Sequence, residues 1–141
     1  MVTADFNGDG KLDLAVKTIA EGYKFSILMG NGDGTFQSHV DYFMPSVTMK
    51  FLVGDFNGDG KLDLATTNGT VFTFLGNGDG TFAKAYGNFP GASQSAGIAA
   101  GDFDGDGRLD FATANERDNT LTVLPQVTAV FVENACELWW R

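Results

Sequence analysis

Cysteine occurs once in the 141 residues, at Cys136, so no disulfide can form within the chain. The thiol reads as a small apolar filler or a free surface group, and a bond between chains is the weaker covalent alternative. Basic residues are scarce: 9 Lys and Arg stand against 18 Asp and Glu, a net charge of −9. That balance excludes a nucleic-acid partner, because phosphate binding needs clustered Lys and Arg. No stretch reaches the roughly 20 apolar residues of a membrane-spanning helix. No secretory-type leader opens the sequence either, since Met1 is followed almost at once by Asp5, so no cellular address is legible in it. Histidine is also single. His39 reads as a surface residue of an outer strand, and Gly91-Ala-Ser93-Gln-Ser95 lacks the glycine two residues after the serine that a nucleophile elbow requires. With so little to build a catalytic group from, the chain is read as a non-enzyme.

Glycine and phenylalanine are plentiful. There are 19 Gly where an average composition would give about 10, together with 13 Phe. Many short strands joined by tight turns have this composition. Helical periodicity is absent, and the glycine density would break most helices.

One twelve-residue segment occurs three times: Ala4-Asp-Phe-Asn-Gly-Asp-Gly-Lys-Leu-Asp-Leu-Ala15, then Gly54 to Ala65, then Gly101 to Ala112. Asp5 and Asp55 lie 50 positions apart, and Asp55 and Asp102 lie 47 apart. A second element, Gly-Asn-Gly-Asp-Gly-Thr-Phe, follows at Gly30 to Phe36 and at Gly76 to Phe82; in the third repeat Pro125 to Phe131 takes its place. Each repeat reads as four strands. In the second copy these are Lys50 to Gly54, Leu62 to Thr67, Thr70 to Leu75 and a stretch from Thr81 onward, with turns at Asn68-Gly69 and Gly76 to Gly80. The middle turn is longer elsewhere, around Ala20 to Gly22 and Glu116 to Asn119. Four strands in roughly 40–50 residues make a propeller blade. Calcium-loop solenoids have far shorter periods, and an irregular sandwich is the architecture left open. The expected fold is therefore all-β, one domain over 1–141 of three four-stranded antiparallel blades, about 1–47, 48–94 and 95–141.

The repeated loop has the pattern Asp-x-(Asn/Asp)-x-Asp-Gly-x-x-Asp. Its members are Asp5, Asn7, Asp9 and Asp13; Asp55, Asn57, Asp59 and Asp63; and Asp102, Asp104, Asp106 and Asp110. Alternate residues put short oxygen-bearing side chains on one side of a tight loop, and Gly10, Gly60 and Gly107 permit the sharp turn. Lys11, Lys61 and Arg108 would offer backbone carbonyls while their side chains point away, and the last Asp would close the cage. Such a hard-oxygen set suits Ca²⁺ with 6–8 ligands, in about three sites per chain. Zinc and copper would want His or Cys, and Mg²⁺ prefers a rigid octahedron with retained waters. An EF-hand is rejected: its twelfth position needs Glu, and here it is Val16, Thr66 or Thr113, within β-forming sequence. Asn, Asp and Gly are also ordinary turn residues, but threefold recurrence at one spacing argues against coincidence. The third loop carries one more carboxylate and is expected to bind most tightly, while the short strand before Asp5 is expected to fray. In the second element, Asp33 and Asp79 read as hairpin residues, and its glycines match neither a P-loop nor a dinucleotide fingerprint.

Both elements resemble the FG-GAP or VCBS repeats of integrin α-subunit propellers and of many bacterial secreted proteins, over about residues 1–124. The resemblance implies calcium in the hairpin between the first two strands of each blade, and an extracellular setting. It implies a role in adhesion, protein binding or sugar binding. A lectin would use aromatics such as Tyr23, Tyr42, Tyr86, Trp139 or Trp140. Such propellers close with about seven blades, within the general range of 4–8, whereas this chain supplies three. The incomplete ring predicts a homo-oligomer, two chains giving six blades. The divergent stretch from Val127 to Arg141 is expected to supply the last outer strand, with Trp139 and Trp140 packing on an open face or a subunit contact.

Overall fold

The computed structural model describes residues 1–18, 22–44, 50–67, 70–83, 86–90 and 95–125. Asn68-Gly69, Ser93, Cys136, Trp139, Trp140 and the fourth strand assigned to 127–141 lie outside them. All regular structure among the described residues is β. The strands are β1 (Val2–Ala4), β2 (Asp13–Thr18), β3 (Lys24–Leu28), β4 (Val40–Phe43), β5 (Lys50–Gly54), β6 (Asp63–Thr67), β7 (Thr70–Phe74), β8 (Tyr86–Pro90), β9 (Ser95–Gly101), β10 (Asp110–Asn115) and β11 (Thr120–Leu124). They form three antiparallel meanders in sequence order, β1-β2-β3-β4, β5-β6-β7-β8 and β9-β10-β11. The short first strand, β1, is paired along its length, from Val2 opposite Ala15 to Ala4 opposite Asp13.

The same loop joins the first two strands of each sheet, so register repeats as well. Ala4 faces Asp13, Gly54 faces Asp63 and Gly101 faces Asp110. In the third sheet Leu124 lies opposite Phe111, as Leu28 lies opposite Leu14. The Glu116–Asn119 turn is present, with Asn119 at φ 51°, a left-handed conformation that Asn tolerates better than most residues.

Burial shows how the sheets stack. A strand covered on one face alternates buried and open residues, yet β6 is buried at every position. The middle sheet is therefore packed on both sides. One core lies between the first and second sheets, where Phe25 is edge-on to Phe74 at 4.8 Å and stacked on Tyr42 at 5.1 Å. A second lies between the second and third, where Phe56 meets Phe111 at 4.8 Å. Such ring pairs add about 0.5–1.5 kcal/mol each beyond the area they bury. The leading strand β5 lies against both β1 and β9, so the sheets adjoin through their first strands, as blades do about a propeller axis.

Candidate metal centre

Each loop is wound by its own side chains. The Asp5 carboxylate accepts from the backbone N–H of Gly8 at 2.8 Å, Asp9 at 3.1 Å and Gly10 at 2.8 Å. Asn7 Oδ1 accepts from Asp9 N, and Asp9 Oδ1 from Lys11 N. The second loop repeats this with Asp55, Asn57 and Asp59, and the third with Asp102, Asp104 and Asp106. Drawing three successive N–H groups around the first Asp requires left-handed backbone at Gly10, Gly60 and Gly107, at φ 82°, 81° and 87°; only glycine adopts it without cost.

This winding gathers oxygen. In the third loop, carboxylate oxygens of Asp102, Asp104 and Asp106 all lie within 4.8 Å of one another. The first two loops share its hydrogen bonds and hold an Asn amide oxygen where Asp104 stands. Exposed carboxylates this close repel one another unless a cation sits among them. The backbone N–H of Lys11 holds Asp9 below the usual carboxylate range, which keeps it charged and able to ligate.

The ninth residue does something that spacing did not reveal. Asp13, Asp63 and Asp110 are fully buried. Asp13 Oδ2 accepts from Phe6 N at 2.9 Å and Oδ1 from Gly30 N at 2.8 Å. Asp63 bonds Phe56 N and Gly76 N in the same way, and Asp110 bonds Phe103 N. The carboxylate ties the loop to the next hairpin. Burial pushes Asp63 upward against those two N–H donors, and the charges of Asp59 and Asp55 push the same way. The strut therefore feels the loop's negative charge. The hairpin comes so close that a methyl group on Gly30 or Gly76 would collide with the backbone carbonyl oxygen of Leu12 or Leu62.

The seventh-position side chains, expected to point away, all return to their own loops. The Lys11 stem lies over Gly32 and that of Lys61 over Gly78. Their ammonium groups return to Asp9 at 3.3 Å and Asp59 at 3.9 Å, and the Arg108 guanidinium lies 4.0 Å from Asp106. Each basic group partly neutralises its loop. Asp33 and Asp79 are hairpin residues: their Oδ1 atoms accept from the hydroxyl and N–H of Thr35 and Thr81, which lowers both carboxyls below the ordinary range.

The aromatics offered as sugar platforms separate. Tyr23 is exposed. Tyr42 is committed to packing on Phe25, and its hydroxyl oxygen accepts from Phe82 N at 3.1 Å. His39 is exposed, with Nε2 3.7 Å from Asp41 Oδ1.

The donor set fits a hard cation. Asp5, Asn7 and Asp9, with their equivalents, present side-chain oxygens at the loop tip, and the ninth residue lies buried beneath. No nitrogen or sulfur ligand stands among them, which favours calcium over zinc. The sequence profile of the FG-GAP-like repeat matches residues 5–66 and again 55–113, so both matches take in whole loops. No curated protein matches the chain.

Proposed function

The chain belongs to the FG-GAP-like repeat family, and from that premise we propose that it is a calcium-stiffened interaction module of propeller blades rather than a catalyst. The observation that carries this reading is the threefold loop whose third copy brings three carboxylates within 4.8 Å. The metals act structurally. Each would join the exposed tip of a loop to the buried strut beneath it, and so to the following hairpin. Asp5, Asn7, Asp9 and Asp13 hold the first, with Lys11 supplying its carbonyl. Asp55, Asn57, Asp59, Lys61 and Asp63 hold the second, and Asp102, Asp104, Asp106, Arg108 and Asp110 the third. Three acidic residues in the upper ring instead of two make the third site the tightest. Millimolar calcium outside cells would keep all three filled, which agrees with the extracellular habit of the family.

At calcium ten times above a site's Kd, binding adds about 1.4 kcal/mol of stability. Three such sites give about 4 kcal/mol, a large share of the 5–15 kcal/mol typical of a domain. Calorimetric titration of the chelated protein should show about three sites, and thermal melting should rise in calcium. Asp104→Asn should weaken the tightest site towards the other two. A flat titration, or a melting point indifferent to EDTA, would mean that the loops are hydrogen-bonded turns and nothing more.

A further inference from the structure

The first loop, Asp5 to Asp13, is braced by a hairpin that belongs to the second sheet. Phe6 lies in this loop, and its two backbone groups are tied in different directions. Its N–H donates to Asp13 Oδ2 at 2.9 Å, within its own sheet. Its carbonyl oxygen accepts from Gly80 N at 3.2 Å, across the junction between the first and second sheets. Two further contacts follow the same line. The Phe82 ring stands edge-on to Phe6 at 5.4 Å. A methyl group on Gly80 would lie 3.7 Å from Cβ of Asn7, a residue of the loop tip.

That hairpin, Gly76 to Phe82, is held at its other end by the second loop, Asp55 to Asp63. Asp63 Oδ1 accepts from Gly76 N at 2.8 Å, while Oδ2 accepts from Phe56 N at 2.9 Å. The Gly76 backbone lies close against the Leu62 carbonyl, and the Lys61 stem covers Gly78. The hairpin itself is closed by several bonds. Gly76 pairs with Phe82, Asn77 N donates to Thr81 O at 2.9 Å, and Asp79 Oδ1 accepts from the N–H and hydroxyl of Thr81. A continuous run of contacts therefore leads from the second loop, through Asp63 and the hairpin, to the first loop.

We infer that the calcium sites of the first and second loops are positively coupled, with the Gly76–Phe82 hairpin as the positioning element between them. This inference rests on the calcium reading above. An empty second loop holds Asp55 and Asp59 together against their mutual repulsion. Once that charge is neutralised, the loop holds Asp63, and with it the hairpin, more firmly. A firm hairpin fixes Phe6 and Asn7, so the first loop gives up less conformational freedom in closing around its own ion. Linkage makes the effect reciprocal. Charge acts the other way, because a filled second loop is less negative and draws a further cation less strongly. Salt screens that opposing field beyond about 8 Å at 0.15 M, whereas it leaves the contact between hairpin and loop in place, so the contact sets the sign.

The test is a calcium titration of the intact, isotope-labelled chain at that ionic strength, followed by NMR at the backbone amides of Gly10 and Gly60, which report the two loops separately. Asp59→Asn removes a charged ligand from the second loop and keeps an oxygen for Lys61 N. It should move the Gly10 midpoint to calcium about fivefold higher or more, the lower end of ordinary couplings. Asp9→Asn should move the Gly60 midpoint by a matching factor. Gly80→Leu collides with Met29 and lifts the hairpin from the first loop, so in that background Asp59→Asn should no longer shift Gly10. Gly80→Ala, which disturbs the fold less, should lessen the shift. Gly34→Leu is the control. It places a side chain on the same left-handed backbone, φ 90° against 83°, where nothing lies within 4 Å, and should leave the coupling intact. A Gly10 midpoint indifferent to Asp59→Asn would overturn the proposal. So would a shift that persists undiminished in both Gly80 variants, since it would then come from the field of the lost charge. Loop amides that never respond to calcium would sink the metal reading and the coupling with it, whereas two loops that respond independently would sink the coupling alone.

Discussion

At the scale of single residues, the loop divides into an exposed tip, whose oxygens wind the loop and would meet the proposed metal, and a buried strut that ties the loop to the next hairpin. Asp59 sits at the exposed tip and Asp63 is buried beneath it, bonded to Phe56 N and Gly76 N. Asp59→Asn should leave melting in EDTA nearly unchanged and should lower it only in calcium. Asp63→Asn should lower melting in both, because its amide turns a donor towards one of two buried N–H groups. An unsatisfied buried donor of this kind costs about 1–3 kcal/mol. Equal behaviour of the two variants in EDTA would show that the strut carries no structural weight. Close approach gives a second test. Gly76→Ala drives a methyl into the Leu62 carbonyl, whereas Gly97→Ala in β9 meets nothing within 4 Å. The first should cost about 1–3 kcal/mol, as overpacking does, and the second should be near neutral by urea denaturation.

Within elements, the strands whose polar partners lie across the sheet show which parts of the fold were legible beforehand. Repeat spacing located β5 as Lys50–Gly54, because the Asp- and Gly-rich loop that begins at Asp55 fixes its end. The winding of the loops followed from Asp and Gly at fixed places. Three features did not follow. In β6 both faces are buried, so the alternation that assigns faces disappears. The strut bonds span 17 residues in the first sheet and 13 in the second, because the turn between the second and third strands varies in length and hides the pairing. Tyr42 looked like a binding aromatic because nothing local marks a ring that packs against the next sheet. Cross-strand pairs were equally hidden. Asp41 lies opposite Ser26 and accepts from its hydroxyl at 2.6 Å and from Lys24 Nζ at 2.7 Å. The Lys24 hydrogen bond, then that of Ser26, holds Asp41 below its ordinary pKa. A carboxyl depressed on folding stabilises above its unfolded pKa, and that contribution is lost as pH falls through the folded value. Asp41→Asn should therefore lower the melting point at pH 7, and the gap to wild type should close as acid reaches Asp41. A gap that is constant from pH 7 down to strong acid would show that the hydroxyl and ammonium contacts do not depend on charge.

Across the whole molecule, acidic charge is unevenly placed, since the three loops hold most of it. Three doubly charged ions would cancel six of the nine net negative charges. The loops are members of neighbouring sheets on one stack, so in EDTA their repulsion acts between sheets as well as within each tip. Monovalent salt reaches the longer of these distances, because the screening length is about 8 Å at 0.15 M. It screens the crowded carboxylates within one tip much less, since they stand closer together than that. Raising sodium chloride from about 0.01 to 0.15 M should therefore raise the melting point of the EDTA-treated protein. On the proposed reading it should not restore the calcium value, because a monovalent atmosphere does not replace a divalent ion seated among oxygens that lie within 4.8 Å of one another. In calcium the same salt series should be nearly flat. Parallel slopes with and without calcium would place the destabilising charge elsewhere on the surface, whereas a salt series that restored the full calcium stability would reduce the metal's role to general screening.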